Sequence, residues 1–132
     1  MGNYIETARS NYFKVKDLKR FKKAIAPFGG IEIIEGENGT IAVLGRDETF
    51  PDMGWDENGN EMKKTFSDVV AAHLTDDSVF VAVGAGYEKM RYVIGWAYAV
   101  DNTNTRVYIN TDDIYEKAKK KFAGKTITQA QY

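Results

Sequence analysis

The sequence predicts an α+β domain: one mostly antiparallel sheet of about six strands, ordered βα-ββ-α-βββ-α, with helices packed on one face. Three observations predict it. Ser78 to Asn110 reads as three consecutive strands, SVFVAVGAG, YVIGWAYAVD and NTNTRVYIN. Asn38-Gly39 separates two short apolar runs, and Asn-Gly favours the positive-φ turns that close hairpins. Amphipathic stretches with capping residues punctuate the rest.

Asn11 to Val15 alternates and suits a first strand. Asp17 is an N-cap whose carboxylate can accept from the free N–H groups of a helix over Leu18 to about Ala26. Leu18, Phe21 and Ile25 form its apolar stripe, and Pro27 and Gly29-Gly30 end it. Ile31 to Glu35 and Thr40 to Leu44 form the hairpin around Asn38-Gly39. Arg46 to Glu61 is polar and rich in Gly, Asp and Asn, and reads as a long surface loop. Ser67 is read as the N-cap of a second helix that reaches about Leu74. Thr111-Asp112-Asp113 opens a last helix with Tyr115, Ala118 and Phe122 as its stripe and Gly124 as its cap.

Within the meander, Tyr92, Ile94, Trp96, Tyr98 and Val100 alternate with Val93, Gly95, Ala97 and Ala99, giving one bulky and one nearly bare face. A tight hairpin at Asp101 to Asn104 would set Trp96 opposite Ile109 and Tyr98 opposite Val107. Opposed residues share a face. Trp96, Tyr98, Val107 and Ile109 are therefore expected in the core, with Ala97, Ala99, Arg106 and Tyr108 on the other side. Gly84 and Gly86 are read as the bend between the first two meander strands.

The length fits one domain over residues 1–132, with 1–8 and 126–132 as loosely ordered tails. There are no cysteines, which removes thiol chemistry and disulfides. No apolar run reaches membrane-span length and no secretory signal opens the chain, so a cytoplasmic location without membrane partners is expected. Net charge is −1, but it is unevenly distributed. Arg9 to Ala26 carries seven basic residues against Asp17 alone, and Glu32 to Glu61 carries nine acids against Arg46.

Two stretches carry a family resemblance. Arg9-Ser10-Asn11-Tyr12-Phe13-Lys14-Val15-Lys16-Asp17, and Gly86-Tyr87-Glu88-Lys89-Met90-Arg91-Tyr92 continuing to Gly95-Trp96-Ala97, resemble a group of small proteins from bacteria, phages and mobile elements. The resemblance covers about Ala8 to Phe122. It implies no activity; it implies a setting in which small proteins bind host or DNA-processing machinery.

No constellation commits the chain to chemistry, and no catalytic residue, cofactor or metal is assigned. His73 is the sole histidine and lacks a partner at catalytic or ligand spacing. The oxygen-rich run Asp52 to Glu61 fails the calcium-loop pattern: counted from Asp52, the sixth residue is Glu57 and the twelfth is Lys63. Gly84-Ala85-Gly86 lacks the third glycine and the following helix of a dinucleotide site.

The candidate interaction residues are Trp55, Glu88, Lys89, Arg91, Arg106 and Tyr108. The bare face of Gly95, Ala97 and Ala99 is the preferred surface, since small residues allow close approach. The alternative is a helix of the same chain packed there. Lys19, Arg20, Lys22, Lys23, Lys117, Lys120 and Lys121 are the candidate nucleic-acid patch, should both helices cover one sheet face. The leading expectation is a non-enzymatic protein-interaction or regulatory module whose partner is another protein or a second copy. Nucleic-acid binding through the lysines comes second, and an enzyme using Glu88, Arg91 and His73 third.

Overall fold

The computed structural model describes residues 4–45, 50–51, 53–88 and 91–130. Its elements run β1 (Tyr4–Ser10), α1 (Leu18–Ile25), β2 (Ile31–Glu35), β3 (Ile41–Gly45), α2 (Phe66–His73), β4 (Val79–Glu88), β5 (Tyr92–Asp101), β6 (Arg106–Asn110) and α3 (Asp113–Lys121). The strands form one antiparallel sheet in the order β2-β3-β1-β4-β5-β6. The α+β architecture expected from the sequence is the one observed.

The first strand lies earlier than Asn11 to Val15. Tyr4–Ser10 pairs with β4 along its whole length, from Tyr4↔Glu88 to Ser10↔Ala82, and stands in the middle of the sheet. It turns small and polar residues inward: Ala8 and Ser10 are buried. The Ser10 hydroxyl donates to the Asn11 carbonyl and accepts from the Val43 amide, so its burial leaves no polar atom stranded. Asn11 then extends the ladder with its side chain. Its amide nitrogen donates to the Val79 carbonyl and its oxygen accepts from the Val81 amide. Beyond it, Phe13 and Val15 form only isolated bridges to Ile41 and Leu74.

The core lies between one sheet face and the pair α1–α2. Phe13, Phe21, Phe66 and Phe80 are among its largest fully buried side chains, and Phe13 meets Phe80 edge-on at 5.0 Å between ring centres. Asp17 caps α1 by accepting from the Arg20 amide at 3.0 Å. The cap of α2 is Thr65, two residues before Ser67. Thr65 and Asp68 form a reciprocal capping box, and Ser67 lies buried in the first turn. Phe50, from the polar loop, packs on Phe66 and Phe80.

Gly84 and Gly86 do not bend the chain; β4 runs straight through them. A Cβ at Gly84 would overlap the Trp96 indole, and one at Gly86 would overlap the Tyr4 ring. The glycines are seats for those aromatics. Trp96 then stacks on Tyr98, with ring planes 12° apart.

Candidate interaction surface

The register of the last hairpin determines the surface. Asp101 and Asn104 close a loop one residue longer than expected. The Asn104 amide donates to the Asp101 carbonyl, the Asp101 amide donates to the Thr105 carbonyl, and Asn104 takes φ +65°. The extra residue moves the pairing to Val100↔Arg106, Tyr98↔Tyr108, Ala97↔Ile109 and Ala99↔Val107. A one-residue slip reverses every side chain. Val107 and Ile109 therefore join the bare face with Ala97 and Ala99, not the core, while Arg106 and Tyr108 turn to the helix face.

Among the described residues, no element covers that bare face. Strand pairing arranges it in rows: Val81, Ala99 and Val107; then Arg9, Val83, Ala97 and Ile109; then Thr7, Ala85 and Gly95; then Ile5, Tyr87 and Val93. Val93 and Val107 are each 68% exposed, and Ile5, Val79, Val83, Tyr87 and Ile109 are also exposed. Scattered exposed apolar residues are ordinary, but a contiguous face of them marks an interaction site.

α3 borders this face without covering it. Thr111 leads into it from β6, bonded to Gly95 in both directions, and its methyl lies over the missing side chain of Gly95. Asp113 accepts from the Asn110 amide and fixes the first turn. No residue of α3 is buried, so the expected stripe of Tyr115, Ala118 and Phe122 packs on no core; Phe122 is exposed. Between α3 and the sheet lies a groove of about 620 Å³, lined chiefly by Val83, Gly95, Ala97, Ile109, Ile114 and Lys117.

The other sequence-selected residues are dispersed. Arg106 is committed to structure: its guanidinium donates to the Ser67 hydroxyl at 3.0 Å, the Asp68 carboxylate at 3.2 Å and the Asn104 side-chain oxygen at 2.6 Å. The Asn104 amide and the Thr65 backbone, with Arg106 nearby, hold the Asp68 carboxyl below the usual carboxylate range. Tyr108 is exposed beside this network. Glu88 and Arg91 make a long ion pair at 4.0 Å across the β4–β5 turn, and Lys89 lies outside the described residues.

Trp55 is exposed and far from the bare face in the fold, its amide donating to the carbonyl of Pro27 at the end of the α1 region. In the same loop the Asp56 carboxylate accepts from the Asn58 and Asn60 amides, each at 2.9 Å, and so organises its own turn. Asp52 lies outside the described residues.

Lys19, Arg20, Lys22 and Lys23 line the exposed side of α1. Lys117, Lys120 and Lys121 belong to α3, which borders the opposite side of the sheet. The two lysine sets therefore do not share a sheet face. His73 meets Phe21 edge-on, and burial, then Lys16 and Arg20, lower its pKa. It sits at the end of α2 in the helix layer, apart from Glu88 and Arg91 at the β4–β5 turn.

Sequence reasoning missed Ile5, Val83, Val93, Val107, Ile109 and Ile114. The readable signal was in β4, where Val79, Val81 and Val83 alternate with Phe80 and Ala82. Both of its faces are apolar, more than a sheet with one solvated face requires.

No protein-family model matches the chain, and no curated protein or solved structure matches it either.

Proposed function

We propose that this chain is a protein-interaction module that acts without catalysis, and that its partner docks on the uncovered face of β1, β4, β5 and β6. The observation that carries the reading is the row of exposed aliphatic side chains across four strands, with a helix standing beside it and not over it. Leaving such a surface in water is costly unless something covers it. An origin in phages or mobile elements belongs to the same proposal on the strength of the sequence resemblance, and a cytoplasmic setting on the strength of the cysteine-free composition. Among the described residues, no helix is long and apolar enough to cross a membrane.

A photo-crosslinking residue at Val107, compared with one at Lys22, tests the reading in producing cells. Defined protein adducts are expected from Val107 and not from Lys22. Equal adduct patterns at both positions, or none at Val107, would defeat it.

Nucleic-acid binding is the second reading, and one observation favours it. Lys16, Lys19, Arg20, Lys22 and Lys23 stand exposed along and just before α1, a cluster of cations that phosphates would meet. Binding of short DNA and RNA at low salt, lost as salt rises, would support it. No binding at low salt would remove it.

A further inference from the structure

We infer that the occupant of the uncovered face is a second copy of this chain, so that the protein is a face-to-face homodimer; this rests on the docking reading above. Three features of the face point to a copy of itself.

The first is extent. The exposed side chains of Ile5, Val79, Val83, Tyr87, Val93, Val107 and Ile109, extended by Ile114 of α3, leave a surface on the order of the ~800 Å² that each partner gives to a stable interface.

The second is charge. A two-fold interface sets the same patch against itself, so a charge at its centre would meet its own sign. The four strands place no charged residue at the centre. Arg9 stands at the β1 margin. Asp101 stands at a corner, its carboxylate accepting from the Thr103 hydroxyl and from the Thr103 and Thr105 amides. Lys117 is on the rim, in α3. A partner selected by charge would call for a complementary charged group in the middle, and none is there.

The third is relief. Ala97 and Ala99 form a recessed column along β5, between the raised Val81 and Val83 of β4 and the raised Val107 and Ile109 of β6, and the Thr111 methyl closes its end over Gly95. Antiparallel sheets stack about 10 Å apart with interdigitating side chains. A two-fold axis places the β6 ridge of each copy in the β5 column of the other, and the exchange is reciprocal, as an isologous contact requires. Ile114 then lies at the edge of the joint.

The test uses the purified full chain in light scattering and sedimentation at about 100 µM. Wild type is expected at twice the 14.9 kDa chain mass. Val107→Lys should weaken self-association by at least about a hundredfold, because two buried like charges face an apolar joint. Lys23→Glu, on α1, should leave it unchanged. Circular dichroism and thermal melts establish that both variants are folded.

The chain has no native cysteine, so Ala97→Cys gives a second readout in an otherwise wild-type surface. A short bismaleimide should join two Ala97→Cys chains, and should not join two Lys23→Cys chains. A wild type at single mass, or a folded Val107→Lys chain that remains dimeric, would overturn the homodimer. If wild type is a monomer yet the Val107 photoprobe captures a different protein, only the choice of occupant fails. If both measurements are negative, the docking reading fails with it.

Discussion

At the scale of single residues, the most exacting contact is between Gly84 and Trp96. The indole occupies the space where a side chain at position 84 would begin. Gly84→Ala should therefore displace the ring from its stack on Tyr98 and destabilise the chain by about 1–3 kcal/mol, the usual cost of overpacking. Thermal melts, with tryptophan fluorescence as the probe, check this; an unchanged midpoint would refute it. The titrating groups give a second expectation. Asp68 is held below its ordinary value of 3.8, so its stabilising contribution is full above that value and is lost as pH falls through the folded-state value. His73 is held below 6.5, first by burial, because the fold favours its neutral form. Its contribution is full above pH 6.5 and is lost as pH falls below it. The midpoint should decline in two stages on acidification. Asp68→Asn should flatten the lower stage and His73→Gln the upper, and identical pH profiles for these variants and wild type would contradict both assignments. Some of this scale was readable in the sequence. Asp17 announced its cap because a carboxylate before an amphipathic run has one common use. Thr65 did not, because Ser67 offered an equally good hydroxyl two residues later and only packing selects between them.

At the scale of elements, the β5–β6 hairpin shows where reading by pattern stops. The alternation of β5 was legible, and Trp96 and Tyr98 do turn toward the helix layer. The face of β6 was not, because it depends on whether the loop holds two residues or three. Asn104 decides that by taking a left-handed conformation that asparagine tolerates better than most residues. Its side chain also bonds Asp68 and Arg106, tying the hairpin to the start of α2. Asn104→Ala should lose both, costing about 1–3 kcal/mol in thermal or denaturant unfolding. Asn104→Gly should retain the backbone fit and lose less. A greater loss for glycine than for alanine would mean that the turn conformation is not what matters here. β1 escaped notice for a different reason. Its inward residues Ala8 and Ser10 are small, and its aromatic and β-branched residues Tyr4, Ile5 and Thr7 are broken up by Glu6 and followed by Arg9, so no apolar alternation marks it as a strand in isolation. Its place between β3 and β4 is a property of the sheet, and no local window contains it.

At the scale of the whole molecule, one sheet face is thick with phenylalanine beneath two helices and the other is thin, aliphatic and bordered by a helix none of whose own residues is fully buried. The helix layer was legible from the stripes of α1 and α2; the openness of the far face was not, because a sequence shows which residues are apolar but not which remain uncovered. If that face closes on a second copy, folding and assembly are linked, and stability depends on chain concentration. For an unfolding dimer, each tenfold rise in concentration adds about 1.4 kcal/mol per dimer at the midpoint. For two chains of this length that raises the melting temperature by roughly 2–4 °C. Val107→Lys removes the link, so its midpoint should be lower than wild type at high concentration and should stay constant across the same range. A wild-type midpoint independent of concentration, from the low micromolar range to hundreds of micromolar, would show that the chain reaches full stability alone. The exposed valines and isoleucines of its four strands would then await a different protein.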